Sequence, residues 1–182
     1  MKRLLIGALL ASVAMWFWGF LFWGVSPLPA QFLKAVPDEV GLADKLKTAL
    51  PETGVYIVPN MGAGVSQEEF TKRHLAGPLA QVVYVSEGVD PMSLKVFGGG
   101  WLHMFVCALI LGFILQYVPE PSTFGSRYCI LALAATAAAV WSNLGKPIWW
   151  HQPWAFNLLY AVYDLTSLLL AAVILAWYVR RT

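Results

Sequence analysis

The feature that most constrains this chain is a set of four apolar runs, at 4–26, 100–118, 128–144 and 154–179. A helix of about 20 apolar residues crosses the hydrocarbon layer of a bilayer and satisfies its own backbone hydrogen bonds there. Only 12% of the 182 residues are charged, against roughly 25% in soluble domains. The sequence therefore predicts a multi-pass membrane protein, a bundle of four transmembrane helices with the lipid bilayer around it.

The first run, 4–26, shares some features with a secretory signal peptide. It follows the basic residues Lys2 and Arg3, and a Ser-Pro-Leu-Pro-Ala sequence comes near its end. The apolar part of a signal peptide is typically about 7–15 residues long, and this run is longer. We expect it to remain as a permanent membrane anchor.

Basic residues near the ends of the runs predict the orientation of the chain. In a four-span bundle, Lys2 and Arg3, Arg127, and the final pair Arg180-Arg181 all fall at one end, and Lys146 is the exception. Lys and Arg are enriched in cytoplasmic loops. The prediction is a protein of the cytoplasmic (inner) membrane of a bacterium, with both termini in the cytoplasm.

The polar segment between the first two runs, 27–99, is predicted to be a small extracytoplasmic α+β domain. A helix, a strand, a helix and a strand follow one another in "PDEVGLADKLKTAL", "GVYIVP", "SQEEFTKRHL" and "AQVVYVSEG". Ser66 and Glu69 form a capping box at the second helix. So small a domain buries little surface by itself, and we expect it to rest on the membrane helices or on another subunit. The chain then divides into 1–26, 27–99 and 100–182.

Two glycine clusters flank parts of this domain. Gly62-Ala63-Gly64 follows a strand and precedes a helix, which is the order of a phosphate-binding turn. A third glycine is missing, and Glu68 and Glu69 place negative charge where an anion would bind. A turn that needs positive φ is the favoured interpretation. Gly98-Gly99-Gly100 is predicted to be a flexible joint before the second transmembrane helix.

An aspartate inside the fourth apolar run is the main candidate for a functional residue. A carboxylate at the centre of a bilayer costs at least a few kcal/mol, roughly 2.5–3.5 on insertion scales. Asn157, Tyr160, Asp164 and Ser167 recur at helical spacing and so form one polar stripe. At about 1.5 Å per residue, Asp164 lies roughly 15 Å below the outer end of its helix.

Polar side chains of other helices are predicted at matching depths. Cys107 and Thr136 lie about as deep as Asp164, and His103 lies about one turn nearer the outer surface. We therefore predict that Asp164 faces a polar group on the second or third membrane helix. Three interpretations stay open: hydrogen bonds that hold the bundle together, a site for a ligand, proton or ion, and contact with a polar group of a partner subunit.

The histidines raise the question of a haem, because imidazole is a common axial ligand. His151 is predicted to lie in a short outer loop, 145–153, and His103 on a helix, and the chain has no CxxCH motif for covalent attachment. No cofactor and no metal site are predicted. A b-type haem, a quinone or a pigment remains an alternative.

Tryptophans concentrate at the predicted outer boundary, which is typical of an aromatic belt. A platform for a flat ligand or for the helices of a partner is the alternative. Two further tryptophans lie deeper in the first helix, where a belt does not reach, and indicate contact with protein, pigment or lipid. The belt residues include Trp23, Trp149, Trp150 and Trp154, and the deeper pair is Trp16 and Trp18.

The third run is rich in alanine and is predicted to be the central, buried helix. Ala134 and Ala138 are four residues apart, and small residues at this spacing allow helix backbones to approach closely in membranes.

Common catalytic motifs are absent from the sequence: there is no HExxH, GxSxG, P-loop or CxxC. The net charge of +2 gives no indication of nucleic-acid binding. The leading interpretation is a non-catalytic accessory or assembly subunit that binds other membrane subunits of a larger complex, with an energy-transducing complex as one candidate. The alternatives are a small transporter or ligand-binding membrane protein that uses the Asp164 stripe, and a b-haem or quinone-binding redox subunit.

Overall fold

A computed structural model describes residues 1–120 and 122–179. Four of its helices are long and apolar enough to cross a membrane: Lys2–Val25, Leu94–Tyr117, Phe124–Trp150 and Trp154–Tyr178. Their length and composition agree with the multi-pass membrane protein that the apolar runs predict. Arg180 and Arg181, which contribute to the predicted orientation, lie outside the described residues.

The elements follow in a simple order along the chain. They are α1 (Lys2–Gly19), a π-helix (Phe20–Val25), α2 (Leu28–Phe32), α3 (Glu39–Ala49), β1 (Gly54–Val58), α4 (Gln67–Ala76), β2 (Ala80–Tyr84), α5 (Leu94–Ile114), a 3-10 turn (Leu115–Tyr117), α6 (Phe124–Trp150) and α7 (Trp154–Tyr178). Contacts divide the chain into two units, the first made of Met1–Lys34 and Pro91–Thr182 and the second of Ala35–Asp90.

The first unit is organised around α7. This helix packs closely against α1 and α6 and also contacts α5. α1 packs along α5 as well, whereas α5 and α6 barely touch. The prediction that the third membrane helix is the central one is therefore wrong. The fourth takes that place, because α6 packs mainly against α7 whereas α7 contacts three other long helices.

The buried stripe of α6 repeats at every fourth residue, which follows one ridge of the helix surface. Small side chains on such a ridge let two backbones approach closely. The sequence predicts this pattern with Ala134 and Ala138, but Ala138 is exposed, so the stripe lies one position further along. Its members are Arg127, Leu131, Ala135, Ala139, Asn143 and Pro147.

Contacts near both ends of α1 and α7 show that these helices are antiparallel. A Cβ on Gly7, near the start of α1, would lie 3.1 Å from a methyl of Val179, just after α7. Trp23, beyond the end of α1, packs instead against Tyr160 near the start of α7. A buried apolar core joins α1, α5 and α7, and includes Leu4, Ala8, Ala11, Met15, Ala108, Leu111, Ala171, Ala172 and Leu175.

The glycine cluster 98–100 is helical and is not the predicted flexible joint. These residues lie inside α5, which begins with the hydroxyl of Ser93 accepting a hydrogen bond from the backbone N–H of Val96. Phe97, immediately before the glycines, packs edge to face on Trp16 of α1. The cap and this contact together stabilise the start of α5, although its three glycines have low helix propensity.

The end of α6 also differs from the prediction. The helix continues through Pro147 to Trp150, so residues 151–153 alone connect it to α7. The predicted loop 145–153 is therefore mostly helical. Proline has no backbone N–H, so the carbonyl of Asn143 lacks its usual hydrogen bond from the residue four positions later.

In the second unit, the predicted order of helix, strand, helix and strand is confirmed by α3, β1, α4 and β2. The strands pair antiparallel, with Val55 opposite Val83. The Ser66 hydroxyl accepts a hydrogen bond from the Glu69 N–H at 3.1 Å and caps α4. Gly64 has a φ of 85°, as the interpretation of its cluster as a turn requires. No residue of this unit is buried.

Candidate functional site

The candidate site centres on a hydrogen bond between α6 and α7. The side-chain Nδ2 of Asn143 donates to Oδ2 of Asp164 at 2.7 Å. Asn143 is only 1% exposed, whereas Asp164 is half-buried. Nδ2 also lies 3.1 Å from the carbonyl oxygen of Ala139, one turn earlier, which helps to orient the amide. Asp164 thus contacts a polar group on α6, the third of the membrane-length helices, as predicted, but that group is Asn143 and not Thr136.

The second oxygen of the same carboxylate, Oδ1, is not engaged. No hydrogen bond or ion pair reaches it from any residue in the described part of the chain. On α5, the Nε2 of His103 lies 3.6 Å from the Sγ of Cys107. These two side chains form a polar pair on that helix.

The other residues of the stripe on α7 have local roles. Asn157 is buried, and its Nδ2 donates to the carbonyl oxygen of Pro153 in the first turn of its own helix at 3.0 Å. Ser167 is buried as well. Tyr160 packs on Trp23 with ring centroids 4.8 Å apart. Among the described residues, Asp164 is the one member of the stripe whose side chain is hydrogen-bonded to a neighbouring helix.

Thr136 and His103 are both exposed, so the structure does not gather them around Asp164. The Thr136 hydroxyl donates to the carbonyl oxygen of Ala132 in its own helix at 2.8 Å. Because α6 extends to Trp150, Thr136 lies about 20 Å from the outer end of the helix, and Asn143 lies about 10 Å from it. The sequence ended this helix at residue 144, whereas α6 ends at Trp150. This difference is the reason why the depths estimated from the sequence point to Thr136.

A cluster of aromatic side chains lies beside this site. The indole Nε1 of Trp18 donates to the Thr166 hydroxyl of α7 at 3.0 Å, so this tryptophan contacts protein. Trp23, in the π-helix, packs against both Tyr160 and Tyr163. The sequence left protein, pigment or lipid open as the neighbour of the deep tryptophans, and Trp18 contacts α7 of the same chain. Trp23 is half-buried against these two rings.

The remaining predicted tryptophans are exposed. Trp16 is partly covered by Phe97, whereas Trp149, Trp150 and Trp154 are each more than half exposed. The last three lie at one end of α6 and α7, where an aromatic belt would place them.

Arg127 has a structural contact in addition to its value as an orientation signal. It is only 4% exposed. Its Nε donates to the carbonyl oxygen of Ala176 at 2.9 Å, and its Nη1 donates to the carbonyl oxygen of Ser122 at 2.7 Å. The last carbonyls of a helix lack partners within the helix, and a cation there is favourable. Arg127 therefore connects the start of α6 to the end of α7.

The histidines occupy unlike positions, with His103 on α5 and His151 in the left-handed residue that ends α6. Within 1–120 and 122–179, no three His, Cys, Asp or Glu side chains form a group that could hold a metal ion.

No protein-family model matches the sequence, and no curated protein or solved structure is significantly similar to it. A functional proposal therefore depends on the contacts described above.

Proposed function

We propose that this protein is a non-catalytic accessory or assembly subunit of a larger membrane complex, with an energy-transducing complex as one candidate. The second unit provides the supporting observation. Apolar side chains on three of its elements are widely exposed: Val40 of α3 at 76%, Leu75 of α4 at 83% and Val83 of β2 at 73%. A domain with no buried residue of its own gains stability when another protein covers such side chains.

The sheet of this unit offers a defined surface for that contact. Val55, Ile57 and Val83 share one exposed face, and Tyr56 and Val82 lie on the other, which is partly covered. A two-stranded sheet is marginal in water, and each of its strands has one unpaired edge. An apolar surface or an added strand from a partner would complete it.

The proposal places the four helices in a bacterial cytoplasmic membrane as a bundle, with both termini cytoplasmic and residues 27–99 outside. The position of the basic residues supports this orientation. Arg127 bonds to Ala176 near the end of α7, and Gly7 near the start of α1 lies against Val179. Lys2 and Arg127 therefore belong to the same end of the helix unit, as the enrichment of basic residues on the cytoplasmic side requires.

A small transporter or ligand-binding membrane protein is the second candidate. It is favoured by one observation, the half-buried carboxylate of Asp164 with its unengaged oxygen. Ionisable groups within membrane helices commonly mark substrate, ion or proton pathways.

Affinity purification of the full chain from its native membranes in mild detergent tests the leading proposal. We expect other membrane proteins to co-purify in fixed ratio, with an assembly mass several-fold above the 20.1 kDa of the chain. The variant Val83→Asp, on the exposed sheet face, should reduce co-purification. Lys72→Asp, on α4, is the matched control for an added acid. A wild-type protein that purifies alone or only with copies of itself would contradict the proposal.

A further inference from the structure

The hydrogen bond from Asn143 leaves half of the Asp164 carboxylate without a partner. Oδ2 accepts from Nδ2 at 2.7 Å, whereas Oδ1 has no partner among the described residues. Asp164 lies about 15 Å from the outer end of α7. Lipid at that depth offers no hydrogen bonds, so an unpaired carboxylate oxygen there is strongly unfavourable.

The described part of the chain supplies no cation for this carboxylate. Its ion pairs lie in the second unit. The guanidinium of Arg127 is bonded to carbonyl groups at the far end of α7. Lys146 follows Asn143 by one turn on α6, but it is exposed and forms no ion pair with Asp164. Asp164 is the one acidic residue within the four membrane-length helices, and its charge is uncompensated there.

Helices α5 and α6 barely touch each other, although α7, which carries Asp164, contacts both. On the α5 side, Cys107 is half-buried and His103 is exposed. These two residues therefore place polar groups on α5, and the His103 side chain lies at its exposed surface.

We propose that a membrane-spanning helix of a partner subunit docks along the opening between α5 and α6 and presents a lysine or arginine side chain to Oδ1 of Asp164. Asn143 holds the carboxylate from the other side. Charge complementarity favours a basic occupant, because opposite charges attract far more strongly in a low-dielectric medium than in water, and a buried charge without a partner is costly. This inference rests on the proposed function and names the chemistry of the partner.

The test compares the amount of partner that co-purifies in mild detergent with single variants of the full chain. Asp164→Glu and Asp164→Gln have the same length and differ in charge. We expect Asp164→Glu to retain most of the co-purified partner. In Asp164→Gln the amount of co-purified partner should fall by at least about tenfold, as when one member of a close charge pair is lost. Asp164→Asn, which can still accept the bond from Asn143, should lose it to a similar extent. Lys146→Gln is the control and should leave the complex unchanged.

A photo-crosslinking residue at Cys107 gives a second measurement that does not depend on the carboxylate variants. We expect it to capture a partner segment that contains Lys or Arg. The same residue at Val162, exposed on the opposite side of α7, should capture much less of it.

Three results would overturn the inference. If Asp164→Asn and Asp164→Gln both keep the complex at the wild-type level, no basic partner is needed and a proton or small cation is the better ligand. If Lys146→Gln loses the complex as Asp164→Gln does, the counter-ion is internal. In both cases the proposed function stands. A wild-type chain that purifies alone overturns both proposals.

Discussion

Asn143 and Arg127 are two polar residues that connect α6 to α7 at different heights. Asn143 donates to the Asp164 carboxylate, and Arg127 donates to the backbone carbonyl of Ala176. A hydrogen bond between helices in a membrane contributes about 0.6–2 kcal/mol. Together, the two contacts fix the position of α6 along α7, because sliding either helix by one turn would break both.

Replacing Asn143 by leucine tests the first contact. We expect the free energy of unfolding to fall by about 1–2 kcal/mol, because the donor is lost and the carboxylate is left without any bond. Unfolding by a denaturing detergent in mixed micelles gives this value. Thr136→Ala is the control, since the Thr136 hydroxyl bonds to Ala132 within its own helix. Equal losses for the two variants would show that the bond between helices does not matter.

Replacing Arg127 by lysine tests the second contact. An ammonium group cannot reproduce the geometry in which Nε bonds to Ala176 and Nη1 bonds to Ser122. We expect a loss of about 1.5–3 kcal/mol in the same unfolding measurement. Arg3→Lys, at an exposed position, should leave stability unchanged. Wild-type stability in Arg127→Lys would mean that charge alone suffices at this position.

At the level of elements, α5 contains glycines with opposite roles. A Cβ on Gly112 would collide with a methyl of Leu4, which is itself buried. A Cβ on Gly99 would meet no atom within 4 Å. We expect Gly112→Ala to destabilise the protein by about 1–3 kcal/mol through overpacking. Gly99→Ala should stabilise it by up to about 1 kcal/mol through helix propensity. The thermal unfolding temperatures of the two variants should therefore shift in opposite directions. A shift in the same direction for both would contradict the close contact between α1 and α5.

The position of the small-residue stripe on α6 gives a second prediction for an element. Ala139 is 3% exposed, whereas its neighbour Ala138 is exposed. Ala139→Leu should force α6 away from α7 and cost about 1–3 kcal/mol. Ala138→Leu should change stability by less than about 0.5 kcal/mol. A larger loss of stability for Ala138→Leu in the detergent unfolding measurement would instead support the packing face that the sequence predicted, with Ala134 and Ala138.

For the whole molecule, the prediction concerns the sides of the membrane. A reporter enzyme fused after residue 181 should be cytoplasmic, and one inserted at Gly64 should lie outside. The basic residues Lys2 and Arg127 favour this orientation, and the antiparallel contacts of α1 and α7 place the start of α1 beside the end of α7. Activity of both reporters on the same side would rule out a four-span bundle.

The sequence alone determined the elements that depend on local interactions. Apolar runs of membrane length predict the four long helices, because the requirement to bond every backbone group in lipid leaves a helix as the solution for each run. The order of α3, β1, α4 and β2 also follows from the sequence. Ser66 caps α4 through a residue three positions away, and Gly64 supplies the positive φ of its turn.

The tertiary structure alone decided which helices and side chains meet. Asn143 is the partner of Asp164 because α6 continues through Pro147 into the stretch that the sequence assigned to a loop. Gly98 to Gly100 are helical because Ser93 caps α5 and Phe97 packs on Trp16. The central place of α7 and the burial of Ala139 depend on how four apolar helices pack. Residues far apart in the chain set these contacts, and apolar runs of similar length do not specify their own neighbours.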